Sequence, residues 1–227
     1  MTKVSPYFQR IRKKIKRDGV YNSVMQSCLR FESVWFDAIY GVDTYGTIPL
    51  SALNISSPNI DHGIQYQPIL INHLKEILDI LGPTPDDVLV DFGSGKGNVL
   101  LVSSTYPFKR VVGVEFSDRL CAIADKNVSR FRGRKQCKIQ INCIDAGDYL
   151  IKNDETIFYF FNPFDRVIMR KVLENINVSV SEHPRRVRIV YYNLKSHNLE
   201  SGLREFELVT DSTFHGIAFQ IYQSRCG

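Results

Sequence analysis

The sequence predicts an α/β fold: a mostly parallel, doubly wound sheet, closed by an antiparallel hairpin and preceded by a helical extension. Two patterns carry this. Short β-branched or aromatic runs at 87–92, 111–115, 137–142, 156–161 and 186–193 alternate with helical patterns at 97–107, 117–131 and 165–180. Such alternation implies parallel strands with helices on both faces. The tail breaks it: "LREFELVTDSTFHGIAFQIYQ" reads as two strands, 203–210 and 213–223, joined by a tight turn with no helix between. A length of 227 residues suits one domain with an appendage, divided here into an extension, 1–65, and a core, 66–227.

The extension opens with Val4, Phe8, Ile11 and Ile15 at helical spacing, while Arg10, Arg12, Lys13, Lys14, Lys16 and Arg17 fill the other faces. That describes a basic amphipathic helix ending near Asp18-Gly19. Residues 1–30 carry a net charge of +7 and the remainder −2, so the total of +5 belongs to this arm. One reading offers the arm to an acidic partner, an anionic membrane surface or nucleic acid. The plainer reading, in which its apolar stripe packs on its own domain, is preferred. A second helix is expected from Val20 to Tyr40, with Val20, Val24, Cys28, Phe31 and Trp35 on one face. Residues 41–65 form an extended connection, and "QPILINHLKEILDIL" resumes a helix that Gly82-Pro83 stops.

Composition narrows the class. Hydrophobic residues at 44% and charged residues at 23% fit a globular protein, and no apolar run reaches the length of a membrane span. The start, "MTKVSPYFQRIRKKIKRDG", has no apolar signal core. Five cysteines without a C-x-x-C pair point to reduced thiols and a cytoplasmic chain. The histidines are scattered, so no metal is expected.

The chemistry starts at "VLVDFGSGKGNVLL", residues 88–101. A triphosphate-binding loop needs a hydroxyl residue after the lysine, and here Gly97 follows Lys96. A dinucleotide turn needs glycine at the sixth position, which is Asn98. Asp91 also opposes a pyrophosphate, because two anions close together in a partly desolvated cleft repel strongly. The same aspartate suits a ligand with a cationic head. S-adenosylmethionine has an ammonium for Asp91, and a carboxylate for the helix-start amides. The backbone of Gly93, Ser94, Gly95 and Gly97, with few Cβ atoms, lets it approach closely.

Three later strand ends extend the pattern. Glu115 lies 22 residues beyond Gly93, where an acid accepts ribose hydroxyls, and Phe116 beside it offers an apolar surface for adenine. "INCIDAGDY" brings Asp145 to the adenine amine, with Ala146 leaving room for the ring; a plain cap is the alternative for Asp145. The fourth strand ends in "IFYFFNPF". The Asn162 side-chain oxygen and the carbonyl before Pro163 can accept from an amine, and Phe164 can wall the site with a π face. A simple Asn-Pro turn is the structural alternative.

"DFGSGKGNVLL", "VVGVEFS", "DAGDY" and "FFNPF" resemble motifs I to IV of the class I (Rossmann-like) S-adenosylmethionine-dependent methyltransferases, over about 140 residues from Asp86 onward. The resemblance implies a seven-stranded sheet of order 3-2-1-4-5-7-6 with strand 7 antiparallel. The upstream "FDAIYGVDTYG" and "YQP" resemble the front end of a microbial subgroup of these enzymes, and the motif set is distantly similar to the non-SET histone-lysine methyltransferases. By position in such enzymes, Tyr66 contacts the methionine end or the acceptor, with Thr44 and Tyr45 nearby; a half-buried aromatic at a helix start is its plainer reading. The implied reaction moves a methyl group from S-adenosylmethionine, leaving S-adenosylhomocysteine, to an amine nitrogen of a small molecule or a protein lysine. Two alternatives stay open: a non-catalytic module of this fold acting through its basic arm, and an oxygen-directed small-molecule methyltransferase.

Overall fold

The computed structural model describes residues 31–48, 69–193, 202–214 and 216–225. Its seven strands are β1 (Val88–Phe92), β2 (Arg110–Glu115), β3 (Lys138–Cys143), β4 (Ile157–Phe160), β5 (Arg188–Tyr192), β6 (Phe206–Phe214) and β7 (Ile217–Ser224). They form one sheet of order β3-β2-β1-β4-β5-β7-β6, as the resemblance implied. β1 to β5 run parallel, and β7 is antiparallel to both β5 and β6. The helices are α1 (31–40), α2 (Ile71–Leu81), α3 (Asn98–Ser103), α4 (Asp118–Arg130) and α5 (Arg166–Glu182). From β1 the chain moves outward to β2 and β3, then returns to place β4 on the other side of β1. That reversal opens a crevice at the carboxyl ends of β1 and β4.

β1, β4 and β5 are buried at every residue because helices cover both faces of the sheet. Alternate side chains divide between two cores. Val90, Phe92, Phe158, Phe160 and Tyr191 pack under α5 with Ile168, Val172 and Ile176. Leu89, Ile157, Tyr159, Val190 and Tyr192 pack under α2 and α3 with Leu74, Leu78 and Leu100. Each such aliphatic or phenylalanine side chain contributes about 1.5–3 kcal/mol by leaving water. Gly82 ends α2 in a left-handed conformation (φ 53°), its amide donating to Leu78 O at 3.0 Å.

Two boundaries differ from expectation. α3 stops at Ser103 rather than residue 107, because the hydroxyls of Ser104 and Thr105 donate back to the carbonyls of Leu101 and Val102, both at 2.7 Å. β6 runs on through Asp211-Ser212 to Phe214, with an irregularity between Leu208 and Thr210. The reversal instead uses Gly216, whose φ of 81° suits a tight hairpin.

α1 also turns differently. Phe36 is buried, and Phe36 and Tyr40 pack on Phe131, with ring centroids 6.2 and 5.1 Å away. Phe31 and Trp35, expected on a common face, do share one, but it points outward. Val20, Val24, Cys28, the basic arm and Tyr66 lie outside the described residues. The expectation of reduced thiols fails at one pair: the first turn of α4 crosses the end of β3 and brings Cys121 to Cys143 as a disulfide, Cα atoms 6.0 Å apart. Among the described residues no helix is long and apolar enough to cross a membrane, and no grouping of side chains could hold a metal ion.

Gly113 on β2 leaves the space that α3 and the following site depend on. A Cβ there would lie 2.6 Å from Leu100 Cδ1 and 2.7 Å from Ser94 Oγ. Gly113→Ala should therefore destabilise by about 1–3 kcal/mol through overpacking, read as a melting temperature several degrees lower.

Candidate active site

β1 carries Asp91 to the carboxyl edge of the sheet, and the chain then reverses through Gly93-Ser94-Gly95-Lys96-Gly97 into α3. Gly93, Gly95 and Gly97 adopt φ of 77°, 55° and 84°, where side-chain-bearing residues are strained. Gly93 is short of space as well, since a Cβ would lie 2.5 Å from Pro163 Cβ. The glycine turn after β1 and the Asn162-Pro163-Phe164 turn after β4 are thus in contact, two walls of one crevice.

The glycine turn is tied to β2. Gly93 N and Ser94 N donate to Val114 O at 2.8 and 3.2 Å, and Gly95 N donates to Glu115 Oε2 at 2.9 Å. Glu115 Oε1 accepts from Ser117 N at 3.0 Å, so this carboxylate bridges the turn and the start of α4. The hydroxyl of Ser94 is buried without a partner, tucked beneath the turn into the room left by Gly113. Ser94 therefore presents backbone, not side chain, to the crevice.

Asp91 and Glu115 are both buried. Burial pushes the Asp91 carboxyl well above the usual carboxylate range, and the negative charge of Glu115 pushes it further. Burial raises Glu115 too, outweighing the backbone donors of Ser117, Gly95 and Phe116. Among the described residues no hydrogen bond or ion pair compensates Asp91. Two carboxylates that repel one another in a buried crevice favour either a proton, which the raised Asp91 carboxyl readily holds, or a cation, and the lysine of the glycine turn is aimed elsewhere. Lys96 Nζ turns back to Asp43 Oδ1 at 2.9 Å and Tyr45 O at 2.8 Å.

That contact belongs to a brace that the sequence reading did not anticipate. The Asp37 carboxylate accepts from Thr44 N, Thr44 Oγ1 and Tyr45 N at 2.7–2.8 Å. Asn98 Nδ2 donates to Thr44 Oγ1 at 2.9 Å, while Asn98 Oδ1 is buried with no partner. Asn127 Nδ2 donates to both Asp43 O and Lys96 O, and Asn127 Oδ1 accepts from Asp43 N. Segment 41–48 of the extension is in this way built into the wall of the crevice. A signal was present: Asn127 falls on the buried face of α4 with Leu120 and Ala124, an odd place for an amide.

At the β3 side, Phe116 is half-buried beside Glu115. Asp145 Oδ1 accepts from Gly147 N at 2.9 Å and caps the 3-10 turn Ala146–Asp148, the plain role the sequence left open for it. Ala146 packs against the core beneath.

At the β4 side, Asn162 and Asn193 are the two non-glycine residues with positive φ among those described, 42° and 59°. They end adjacent strands and are joined, Asn162 Nδ2 donating to Asn193 O. Asn162 Oδ1 accepts from Tyr191 OH at 2.9 Å. Burial pushes the Tyr191 phenol up to about 12, so it stays a donor at neutral pH. Backbone held in so sparse a region by two partners is a mark of a functional lip. Phe164, expected as a wall of the site, is instead buried in the α5-side core and meets Phe160 edge-on, ring centroids 6.3 Å apart. Its ring gains more from the core than from a wet cleft, and it supports the turn from below.

The family model described as Histone methylation protein DOT1 matches residues 64–148, from just before α2 through the glycine turn to Asp148. Among solved structures, an RNA methyltransferase from Salinibacter ruber in complex with S-adenosyl-L-homocysteine is 16% identical at a TM-score of 0.51, the match covering 70% of this chain and 94% of that one. A mutant of MtNAS in complex with S-adenosylmethionine is 16% identical at a TM-score of 0.51, covering 68% of this chain and 61% of that one. The putative methyltransferase yhhF from Escherichia coli is 16% identical at a TM-score of 0.52, covering 79% and 98%. No curated protein matches. The chain has the fold of the class I methyltransferases, and its likeness to the DOT1 model falls on the stretch that carries Asp91, Glu115 and Asp145.

Proposed function

We propose that this chain, an S-adenosylmethionine-dependent methyltransferase by its fold and by the family model that it matches, delivers a methyl group to an amine nitrogen. One observation carries the cofactor reading: Asp91 and Glu115 are buried together with no cation among the described residues to balance them. S-adenosylmethionine supplies the missing positive charge, and with it an electrophilic methyl group. Asn98 Oδ1, a buried acceptor without a partner beside the turn, is a second feature that a donor-bearing ligand satisfies.

Each residue then has a task. Asp91 faces the α-ammonium. Glu115, whose two oxygens accept from the amides of Gly95, Phe116 and Ser117, keeps further acceptor capacity for the ribose hydroxyls. Phe116 and Ala146 border the adenine, with Asp145 at its amine. The left-handed glycines let the backbone reach the methionine end without Cβ atoms in the way. Asn162, locked by Tyr191 and Asn193, presents its own main-chain carbonyl and the remaining capacity of Oδ1 to the acceptor. These acceptors orient an amine whose lone pair must point at the methyl group. Tyr66 is proposed to contact the methionine end or the acceptor. In-line displacement rests on such alignment, which can be worth roughly 7–11 kcal/mol. The amine reacts neutral, and its proton leaves to bulk water.

The raised Asp91 carboxyl gives a pH signature. A bound ammonium stabilises the ionised form, so binding releases a proton wherever the cofactor-free Asp91 is still protonated. Affinity should therefore rise with pH up to the raised pKa of Asp91 and level off above it. Calorimetry in two buffers of different ionisation enthalpy should show proton release below that point. S-adenosylhomocysteine, which keeps the ammonium, should show the same slope. A pH-independent affinity would remove Asp91 from the ammonium.

A further inference from the structure

Helix α1 is amphipathic with its faces exchanged. Every exposed residue in 31–40 is apolar: Phe31, Val34, Trp35, Ala38 and Ile39. Its polar residues face the domain. Glu32 Oε1 accepts from Asn72 N at 2.6 Å, Ser33 is buried, and Asp37 is held by Thr44 and Tyr45. Phe31 is 64% exposed, Trp35 and Ile39 52% each, and the Phe31 and Trp35 rings lie 5.7 Å apart. A helix meant to face water places its charges outward, so a continuous apolar stripe there marks a surface that meets something else. In the sequence just upstream, Val20, Val24 and Cys28 recur at intervals of four, and residues 1–30 hold eight Lys/Arg against one Asp.

We propose that this face docks on an anionic lipid bilayer. Phe31, Val34, Trp35 and Ile39 enter the boundary between headgroups and acyl chains, and the basic residues before them meet lipid phosphates. Duplex nucleic acid would satisfy the charges but leave the aliphatic stripe in water. A second copy would cover the stripe but pair two chains that each carry +7 in the thirty residues preceding it. Only a surface both apolar and anionic serves both features. Docking there also holds the crevice near the bilayer, because Asp37 and Asp43 link α1 to the glycine turn through Thr44 and Lys96.

Trp35 is the sole tryptophan of the chain, so its emission reports on this face alone. Vesicles of phosphatidylcholine with phosphatidylglycerol should shift that emission to the blue, and brominated acyl chains should quench it. Removing the anionic lipid, or adding high salt, should weaken binding about tenfold or more. A Phe31→Ser, Ile39→Ser double variant should keep its helical circular dichroism and lose about tenfold in vesicle affinity. Emission that ignores vesicles overturns the proposal. So does a blue shift without lipid that grows with protein concentration, which would assign the face to a second copy. Preference for duplex DNA or RNA over the anionic vesicles overturns it as well.

Discussion

Glu115→Ala should weaken S-adenosylmethionine binding by about two orders of magnitude or more, while the protein stays folded. The magnitude follows from the loss of two hydrogen bonds to a charged acceptor, each worth about 1.5–3 kcal/mol when buried. Opposing effects leave stability little changed. The substitution strands the amides of Gly95 and Ser117, which Glu115 now satisfies. It also removes a carboxylate that burial disfavours and that repels Asp91. Titration calorimetry beside thermal denaturation separates the outcomes. If the melting temperature collapses and affinity in the folded fraction is unchanged, Glu115 is a brace for the turn and not a ligand of the ribose.

Asn162→Gly should abolish most methyl transfer, by about a hundredfold or more, with cofactor affinity nearly unchanged. Glycine accepts the positive φ of this position without strain, which makes it a better probe than alanine. What it deletes is the amide that holds Asn193 and receives Tyr191 OH. Without it the main-chain carbonyl before Pro163 loses its anchor, and a misplacement of about 1 Å at a reacting centre costs on the order of a hundredfold. Tyr191→Phe removes only one of the two locks and should fall between wild type and Asn162→Gly. The readout is transfer of labelled methyl from S-adenosylmethionine to a panel of amines, with binding measured in parallel. Equal losses in binding and turnover would make the lip part of the cofactor pocket and not of the acceptor site.

Much of this was legible in the residues. The sheet announced itself through β-branched runs alternating with helical patterns, and the hairpin tail through the missing helix. Asp91, Glu115 and Asp145 stood out because each acid closes a hydrophobic strand, where only a ligand or a cap explains it. Local chemistry moved the details. Ser104 and Thr105 shortened α3 by bonding their own helix, and Gly216 rather than Asp211-Ser212 made the hairpin turn. Periodicity found the apolar face of α1 but could not tell inward from outward, since that depends on which polar residues find partners in the domain. Nor could the brace of Asp37, Thr44, Lys96, Asn98 and Asn127 be read, because its bonds join residues as many as 84 positions apart. The lock on Asn162 was hidden for the same reason: Tyr191 and Asn193 reach it from the neighbouring strand.

The most direct test of the cationic-nucleoside crevice is a calorimetric titration with S-adenosylmethionine, repeated with NAD and with ATP. Saturable binding of S-adenosylmethionine and S-adenosylhomocysteine, and none of either phosphate-bearing nucleotide, is the predicted result. Silence at millimolar S-adenosylmethionine, or tight binding of a pyrophosphate in its place, would contradict the account at its base.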